Sequence, residues 1–178
     1  MSLHRAVVLC ALLAIPTQAE EAEMILSPDW EYVADTVMGG VSTGLARRET
    51  VAGRDAVRLI GSVSLDNNGG FVQIAFDLAD GRDFDASGYR GVSFEVLGKG
   101  ATYDLRLRTS ALKRPWQSFR TSFVAPETWT EVRVPFDALT AHRTEAAFDP
   151  AHLRRIGILA IGTVMEADIS VTTMRLYR

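Results

Sequence analysis

The chain has 178 residues, with 19 lysines and arginines against 22 aspartates and glutamates, and a formal net charge of −3 at pH 7. That balance, without any run of basic residues, argues against nucleic acid and anionic lipid as primary partners. The single cysteine, Cys10, excludes an intramolecular disulfide framework, so the fold must be held by its core.

Residues 1–19 read as a secretory leader. His4 and Arg5 form a short basic start, and the apolar run Ala6 to Ile15 is too short to span a bilayer as a helix. Pro16 breaks the run, and Thr17 and Ala19 place small residues where a leader peptidase cuts. Cleavage after Ala19 leaves residues 20–178 as one periplasmic or secreted domain. It retains no cysteine and no second apolar segment long enough to cross a membrane. A domain of this size buries roughly 68–70% of its unfolded surface, enough for a core without crosslinks.

The rest of the chain alternates between apolar and polar residues in short stretches punctuated by glycine and proline. Val57 to Leu65 places Val57, Leu59, Gly61, Val63 and Leu65 on one side. Phe71 to Leu78 turns Val72, Ile74, Phe76 and Leu78 inward, and Gly91 to Leu97 turns Val92, Phe94 and Val96 inward. Tyr103 to Thr109 buries Tyr103, Leu105 and Leu107 and leaves Asp104, Arg106 and Arg108 outside. Trp116 to Phe123 buries Phe119 and Phe123 and turns Trp116, Ser118 and Arg120 the other way. Thr130 to Phe136 buries Val132, Val134 and Phe136. Ile156 to Ile161 is apolar on both faces and reads as a central, covered strand. The last strand runs from Ala167 to Tyr177, with an irregularity at Thr172-Thr173. Helical signals reduce to single turns at Phe136 to Leu139 and Pro150 to Leu153. Eight or more short strands at this spacing predict an all-β, antiparallel β-sandwich.

Two loops stand out. Asp35-Thr36-Val37-Met38-Gly39-Gly40-Val41-Ser42 joins paired glycines to residues that hydrogen-bond nearby backbone. Asp66-Asn67-Asn68-Gly69-Gly70-Phe71 holds both asparagines of the chain, and Asn and Gly tolerate the positive φ of tight turns. Met38, Gly39, Gly40, Gly69 and Gly70 are read as serving the fold. Asp35, Ser42, Asn67 and Asn68 are candidate contact residues.

On these loops the chain resembles the complex I intermediate-associated protein 30 family. The resemblance begins at Trp30 and takes in both loops and Gly61-Ser62-Val63-Ser64-Leu65. It continues through Tyr89-Arg90-Gly91-Val92, Gly98-Lys99-Gly100 and Tyr103-Asp104-Leu105-Arg106-Leu107-Arg108. Trp129-Thr130-Glu131-Val132, Val134-Pro135-Phe136 and Ile156-Gly157-Ile158 complete it. It implies a galactose-binding-like jelly roll, a fold shared by many carbohydrate-binding modules, and no known catalytic activity. It also implies a role like that of the mitochondrial members, assembly factors that bind partly built membrane subunits of respiratory complex I. Those members carry a transit peptide where this chain carries an export leader. Met165-Glu166-Ala167-Asp168 also stands where the family commonly has a Gly-Pro-Phe step.

Catalytic and metal chemistry find little support. His142 and His152 lack partner patterns, no Gly-x-Ser-x-Gly elbow is present, and zinc would need cysteine or ligand spacing the chain lacks. No cofactor pattern is present. Asp83 and Asp85 could share a calcium ion, although a solvated acidic turn is the simpler reading. Glu95 and Asp104, on strands that would be neighbours, form a carboxylate pair to test for glycoside hydrolysis, although pairing with Arg106 and Arg108 is the simpler reading.

The outward side of the middle strands is the candidate binding face. Gln73, Glu95, Asp104, Arg106, Arg108, Trp116, Ser118 and Arg120 share one surface if the alternation holds. Polar groups around an exposed aromatic suit a sugar, and arginine forks suit carboxylates or a protein. Two functions follow as expectations. One is a non-catalytic assembly module with a membrane or envelope protein partner; the other is a module binding a glycan or other small ligand.

Overall fold

Alternation decides the layers. Wherever a strand turns every second side chain inward, two sheets must face each other across those residues. The computed structural model describes residues 23–178, and the predicted leader lies outside the described residues. The strands are β1 (Met24–Ile25), β2 (Glu31–Ala34), β3 (Thr43–Val51), β4 (Arg54–Val63), β5 (Phe71–Asp77) and β6 (Gly91–Leu97). They continue as β7 (Ala101–Thr109), β8 (Ser118–Ala125), β9 (Thr130–Pro135), β10 (Thr140–His142), β11 (Leu153–Ile161) and β12 (Met165–Tyr177). The first sheet runs β3-β4-β12-β6-β9, with β1 also on β12, and the second runs β10-β8-β7-β11-β5-β2. All pairings are antiparallel, giving a jelly-roll sandwich.

The core lies between the sheets. Leu59, Val92, Phe94, Val96 and Ile169 from the first sheet meet Val72, Ile74, Leu105, Leu107, Ile156 and Ile158 from the second, all fully buried. Phe94 and Phe123 meet edge to face with ring centroids 5.1 Å apart, the arrangement their quadrupoles favour. Tyr103 is buried, and its hydroxyl accepts a hydrogen bond from the Asp168 amide at 3.0 Å.

Most predicted strands are present, and their inward residues are the buried ones. The apolar run at Ile156 to Ile161 lies in β11, an inner strand between β7 and β5. The Thr172-Thr173 irregularity is a register shift in the pairing of β12 with β6, with Thr173 at φ +51°. The single helical turns appear as 3₁₀ turns at Phe136–Ala138 and Pro150–His152.

Three details differ. Leu65 lies beyond β4 and is exposed. Trp116 precedes β8 and belongs to a loop. Strands β1, β2, β3 and β10 are absent from the sequence reading; β1 is two exposed residues, and the other three lie at sheet edges, which bury little, so their alternation is weak.

Outside the sandwich, Asp168 on β12 holds Arg58 on β4 through two hydrogen bonds of 2.7 and 2.9 Å and Lys99 at 2.8 Å. The Arg58 bonds, opposed by burial and reinforced by Lys99, hold the Asp168 carboxyl down to about 2. A depressed folded-state pKa contributes stability above the unfolded value, near 4, and loses it as pH falls through the folded one. The stability gap between Asp168→Asn and the unaltered chain should therefore be full at pH 6 and shrink between about pH 4 and about pH 2. Urea midpoints across that range check it; a gap independent of pH would refute the assignment.

Candidate functional site

The two glycine loops converge on one buried carboxylate. Asp35 follows β2, opens a 3₁₀ turn over Asp35–Met38 and is wholly inaccessible to solvent. One oxygen accepts the Ser42 amide at 3.0 Å; the other accepts the Ser42 hydroxyl at 2.5 Å, the Gly70 amide at 2.6 Å and the Phe71 amide at 3.2 Å. The Ser42 hydroxyl also accepts the Ser64 amide at 3.0 Å. Burial pushes the Asp35 carboxyl up, but these bonds outweigh it and hold the group below the ordinary carboxylate range. Because Ser42 and Ser64 flank strands of the first sheet and Asp35, Gly70 and Phe71 belong to the second, the clasp ties the sheets together at one end. A Cβ on Gly40 would stand 2.4 Å from the Asp35 carboxyl carbon, and one on Gly69 would stand 2.6 Å from its oxygen.

Asp35 and Ser42, candidate contacts from sequence, are therefore buried and turned toward each other. Asn67 and Asn68 are exposed at φ +55° and +58°, so backbone geometry accounts for their type. Asn68 also borders the cleft described next. Gly39 and Gly70 have φ +89° and +136°.

That cleft, of about 680 Å³, crosses the outer face of the second sheet. Val37, Met38 and Asn68 to Gly70 border it, as do Pro115, Trp116, His142 and Arg143. Its floor is read from the strand registers in three rows. Asp104, Leu159, Gln73 and Val33 form one, and Arg120, Arg106, Gly157 and Ala75 the next. Arg108 and Arg155 stand in the third. Gly157 and Ala75 carry almost no side chain, so the floor is low beside Arg106.

Five arginines and one aspartate line the cleft. Asp104 is committed: its carboxylate accepts the Ser122 hydroxyl at 2.6 Å and pairs with Arg120 at 3.4 Å. Arg155 pairs with Glu31 at 2.7 Å and Asp77 at 2.9 Å. Arg106 and Arg108 have no carboxylate partner among the described residues. Arg106 Nη2 donates to the Pro115 and Gln117 carbonyls, and Arg108 to those of Pro115 at 3.2 Å and Arg114 at 3.0 Å. The buried Arg106 Nε–H has no acceptor among the described residues. Burial, followed by the charges of Arg108, Arg120 and Arg155, pulls Arg106 down to about 10. Burial, followed by the charges of Arg155 and Arg154, lowers Arg108 as well. His142 is lowered by burial and then by Arg120 and Arg143, which favours its neutral form.

Of the predicted face, Gln73, Asp104, Arg106, Arg108, Trp116, Ser118 and Arg120 come together in the cleft. Glu95 does not. The Gly98-Lys99-Gly100 connection carries the chain from the first sheet to the second, so Glu95 on β6 and Asp104 on β7 stand in different sheets. Glu95 instead pairs with Arg54 and accepts the Thr173 hydroxyl at 3.0 Å. The carboxylate pair tested for hydrolysis is thus not assembled. Sequence reasoning missed His142, Arg143, Arg155, Gly157 and Leu159. The parity of β11 was the available signal, but its two-sided apolar run concealed which face looks outward.

The other acidic loop is occupied by protein groups. Asp83 accepts the Ser110 hydroxyl at 2.9 Å and meets His152 Nδ1 at 3.0 Å, while Asp85 accepts the Ser87 amide at 2.9 Å. Among the described residues no three His, Cys, Asp or Glu side chains gather to hold a metal ion.

The two-sheet jelly roll is the fold that the family resemblance implies, and one face of it carries an open cleft. The family model for complex I intermediate-associated protein 30 matches residues 19–171, and the chain belongs to that family. No curated protein matches it in sequence.

Among solved structures, a family 11 carbohydrate-binding module from Clostridium thermocellum is similar. It is described in complex with a β-1,3-1,4-mixed-linked tetrasaccharide. Identity is 13% and the TM-score 0.70, over 87% of this chain and 95% of that one. The family 11 module of the C. thermocellum cellulase Lic26A-Cel5E has a TM-score of 0.72 at 12% identity, over 89% and 96%. A family 30 module from a cellulosomal cellulase of the same organism has a TM-score of 0.58 at 15% identity, over 86% and 96%. At these identities the likeness is one of fold.

Proposed function

We propose that this chain is an exported, non-catalytic binding module that holds a saccharide chain in the cleft over its second sheet. The observation that carries the reading is the cleft itself: a groove across the sheet, with hydrogen-bonding side chains on its floor and the half-exposed Trp116 at its border. Sugars need directional polar groups together with an apolar face for the ring. The tetrasaccharide carried by the similar family 11 module supports this use of the fold, and the leader pattern of residues 1–19 supports export.

Tryptophan fluorescence tests it. Trp30 packs edge to face on Phe76, and Trp129 donates to the Val51 carbonyl at 3.2 Å, so neither borders the cleft. Saccharide binding should change the emission of Trp116 alone, and Trp116→Ala should remove that change and weaken binding about tenfold. An undiminished fluorescence response in Trp116→Ala would place the ligand elsewhere.

A second reading rests on the end of the sandwich that adjoins the cleft. Val37, Met38, Val41, Leu65 and Val164 are exposed around the clasped loops, where the Gly162 amide donates to the Gly70 carbonyl at 2.9 Å. Exposed apolar side chains at one end suit a protein partner, and the family description points to an assembling membrane complex. Crosslinked pull-down of the tagged chain from its native envelope tests this. A membrane complex recovered by the unaltered chain and lost from Val41→Asp/Leu65→Asp, neither of which borders the cleft, would support it; recovery equal in both would remove this end from consideration.

A further inference from the structure

We propose that the cleft is selective for an acidic saccharide, one whose rings carry carboxylate or sulfate groups, with Arg106 and Arg108 as the residues that take the anion. This rests on the saccharide reading above and adds the ligand's charge.

The donor and acceptor inventory of the floor carries the inference. A neutral sugar offers hydroxyls that both donate and accept, so a site for it must present acceptors as well as donors. Here acceptors are outnumbered. Asp104 already takes Ser122 and Arg120, and Gln73, Asn68, Ser118 and His142 are the uncharged cleft side chains able to accept, against five guanidinium groups. Donors are in surplus. Arg106 and Arg108 point from the same face of β7, and only carbonyl groups answer them among the described residues. The buried Arg106 Nε–H, with no acceptor among those residues, leaves this guanidinium short of hydrogen-bond partners.

Charge and shape agree. The chain as a whole is acidic, with a formal net charge of −3, yet the cleft gathers five arginines around one already paired aspartate. The excess is therefore local. Neighbouring positive charges destabilise one another in a partly dehydrated floor, and an oxyanion relieves that repulsion while meeting guanidinium forks two bonds at a time. Gly157 sits opposite Arg106 in the β7–β11 register, and Ala75 lies beyond it. Their small side chains leave open floor where a ring substituent can lie beside the Arg106 guanidinium.

The experiment compares acidic polymers with their neutral counterparts on the mature chain, by isothermal titration calorimetry at low salt. The probes are polygalacturonate and its methyl ester, dextran sulfate and dextran, and a mixed-linkage β-glucan. The expected result is that an acidic polymer binds at least about tenfold more tightly than its neutral counterpart, with affinity falling as sodium chloride rises. Arg106→Gln/Arg108→Gln should abolish that preference. Arg106→Lys, which keeps the charge and loses the fork, should recover only part of it. Equal or tighter binding of the neutral polymers would overturn the acidic preference and leave the saccharide reading standing. Binding to none of the five would overturn both. Since these arginines also hold carbonyls of the Arg114–Gln117 segment, thermal unfolding of each variant is followed in parallel. Should a variant unfold, the comparison on the unaltered chain still decides.

Discussion

Asp35→Ala is expected to lower the stability of the fold by about 3 kcal/mol or more, a large part of the 5–15 kcal/mol typical of a domain. The carboxylate is fully buried and accepts four hydrogen bonds, three of them from backbone amides that lose this acceptor when the side chain is gone. Each buried donor left without an acceptor costs about 1–3 kcal/mol. Asp35→Asn should cost nearly as much, because its amide nitrogen turns a donor toward donors.

The effect should also depend on pH. The carboxyl is held below its ordinary range, so its contribution is complete above the unfolded value and is lost as pH falls through the folded one. Urea unfolding at pH 7 measures the loss. A change below about 1 kcal/mol would mean that the clasp is dispensable. The cleft should suffer in the same variant, since the clasp positions Met38 and the Asn68 to Gly70 stretch at its border.

Gly40→Ala should destabilise the chain by about 2–3 kcal/mol, lowering Tm by roughly 5–10 °C. The new methyl carbon would lie 2.4 Å from two Asp35 atoms and 2.8 Å from a third. A flexible neighbour would move aside, but this one is fixed by its four hydrogen bonds. The cost must therefore appear as a distorted clasp. Gly88 supplies the control, because nothing lies within 4 Å of a Cβ there and its φ is negative or extended, so Gly88→Ala should be close to neutral. A double-mutant cycle sharpens the test: in an Asp35→Ala background, which removes the two nearest atoms and keeps the Cβ at 2.8 Å, Gly40→Ala should cost less than alone. Additive costs would show that the glycine answers to something other than the carboxylate.

The clasp gives the two glycine loops a common structural role. Gly40 and Gly69 leave room for a single carboxylate, while Ser42, Gly70 and Phe71 supply its donors. From sequence, Asp35 and Ser42 looked like residues that could face a ligand or the backbone, since Asp and Ser do both with the same atoms. Only burial separates the two uses, and burial depends on which segments lie over the loop. Nothing local in the sequence of 35–42 reports that Gly70 and Phe71 close upon it.

The candidate face shows the same division. Asp104, Arg106 and Arg108 were legible as one set because side chains two apart on a strand share a face whatever the strand pairs with. Their company was not. Glu95 has the right parity on its own strand, but parity says nothing about which sheet the strand joins. The Gly98-Lys99-Gly100 crossing moves it to the other side of the molecule. Arg155 and Leu159 entered the cleft because β11 pairs with β7 and β5, a contact set by residues far apart in the chain.

The sequence by itself determined strands β4 to β9 with their inward faces, strands β11 and β12, the β-sandwich class, the family and the backbone character of the two glycine loops. All of these follow from period-two alternation, turn chemistry and motifs contiguous in the chain. The tertiary structure decided which strands are neighbours, that Asp35 is a clasp between sheets, and that unpaired arginines meet a low floor in one cleft. Each of those depends on pairing between distant segments, and a one-dimensional pattern carries no record of it.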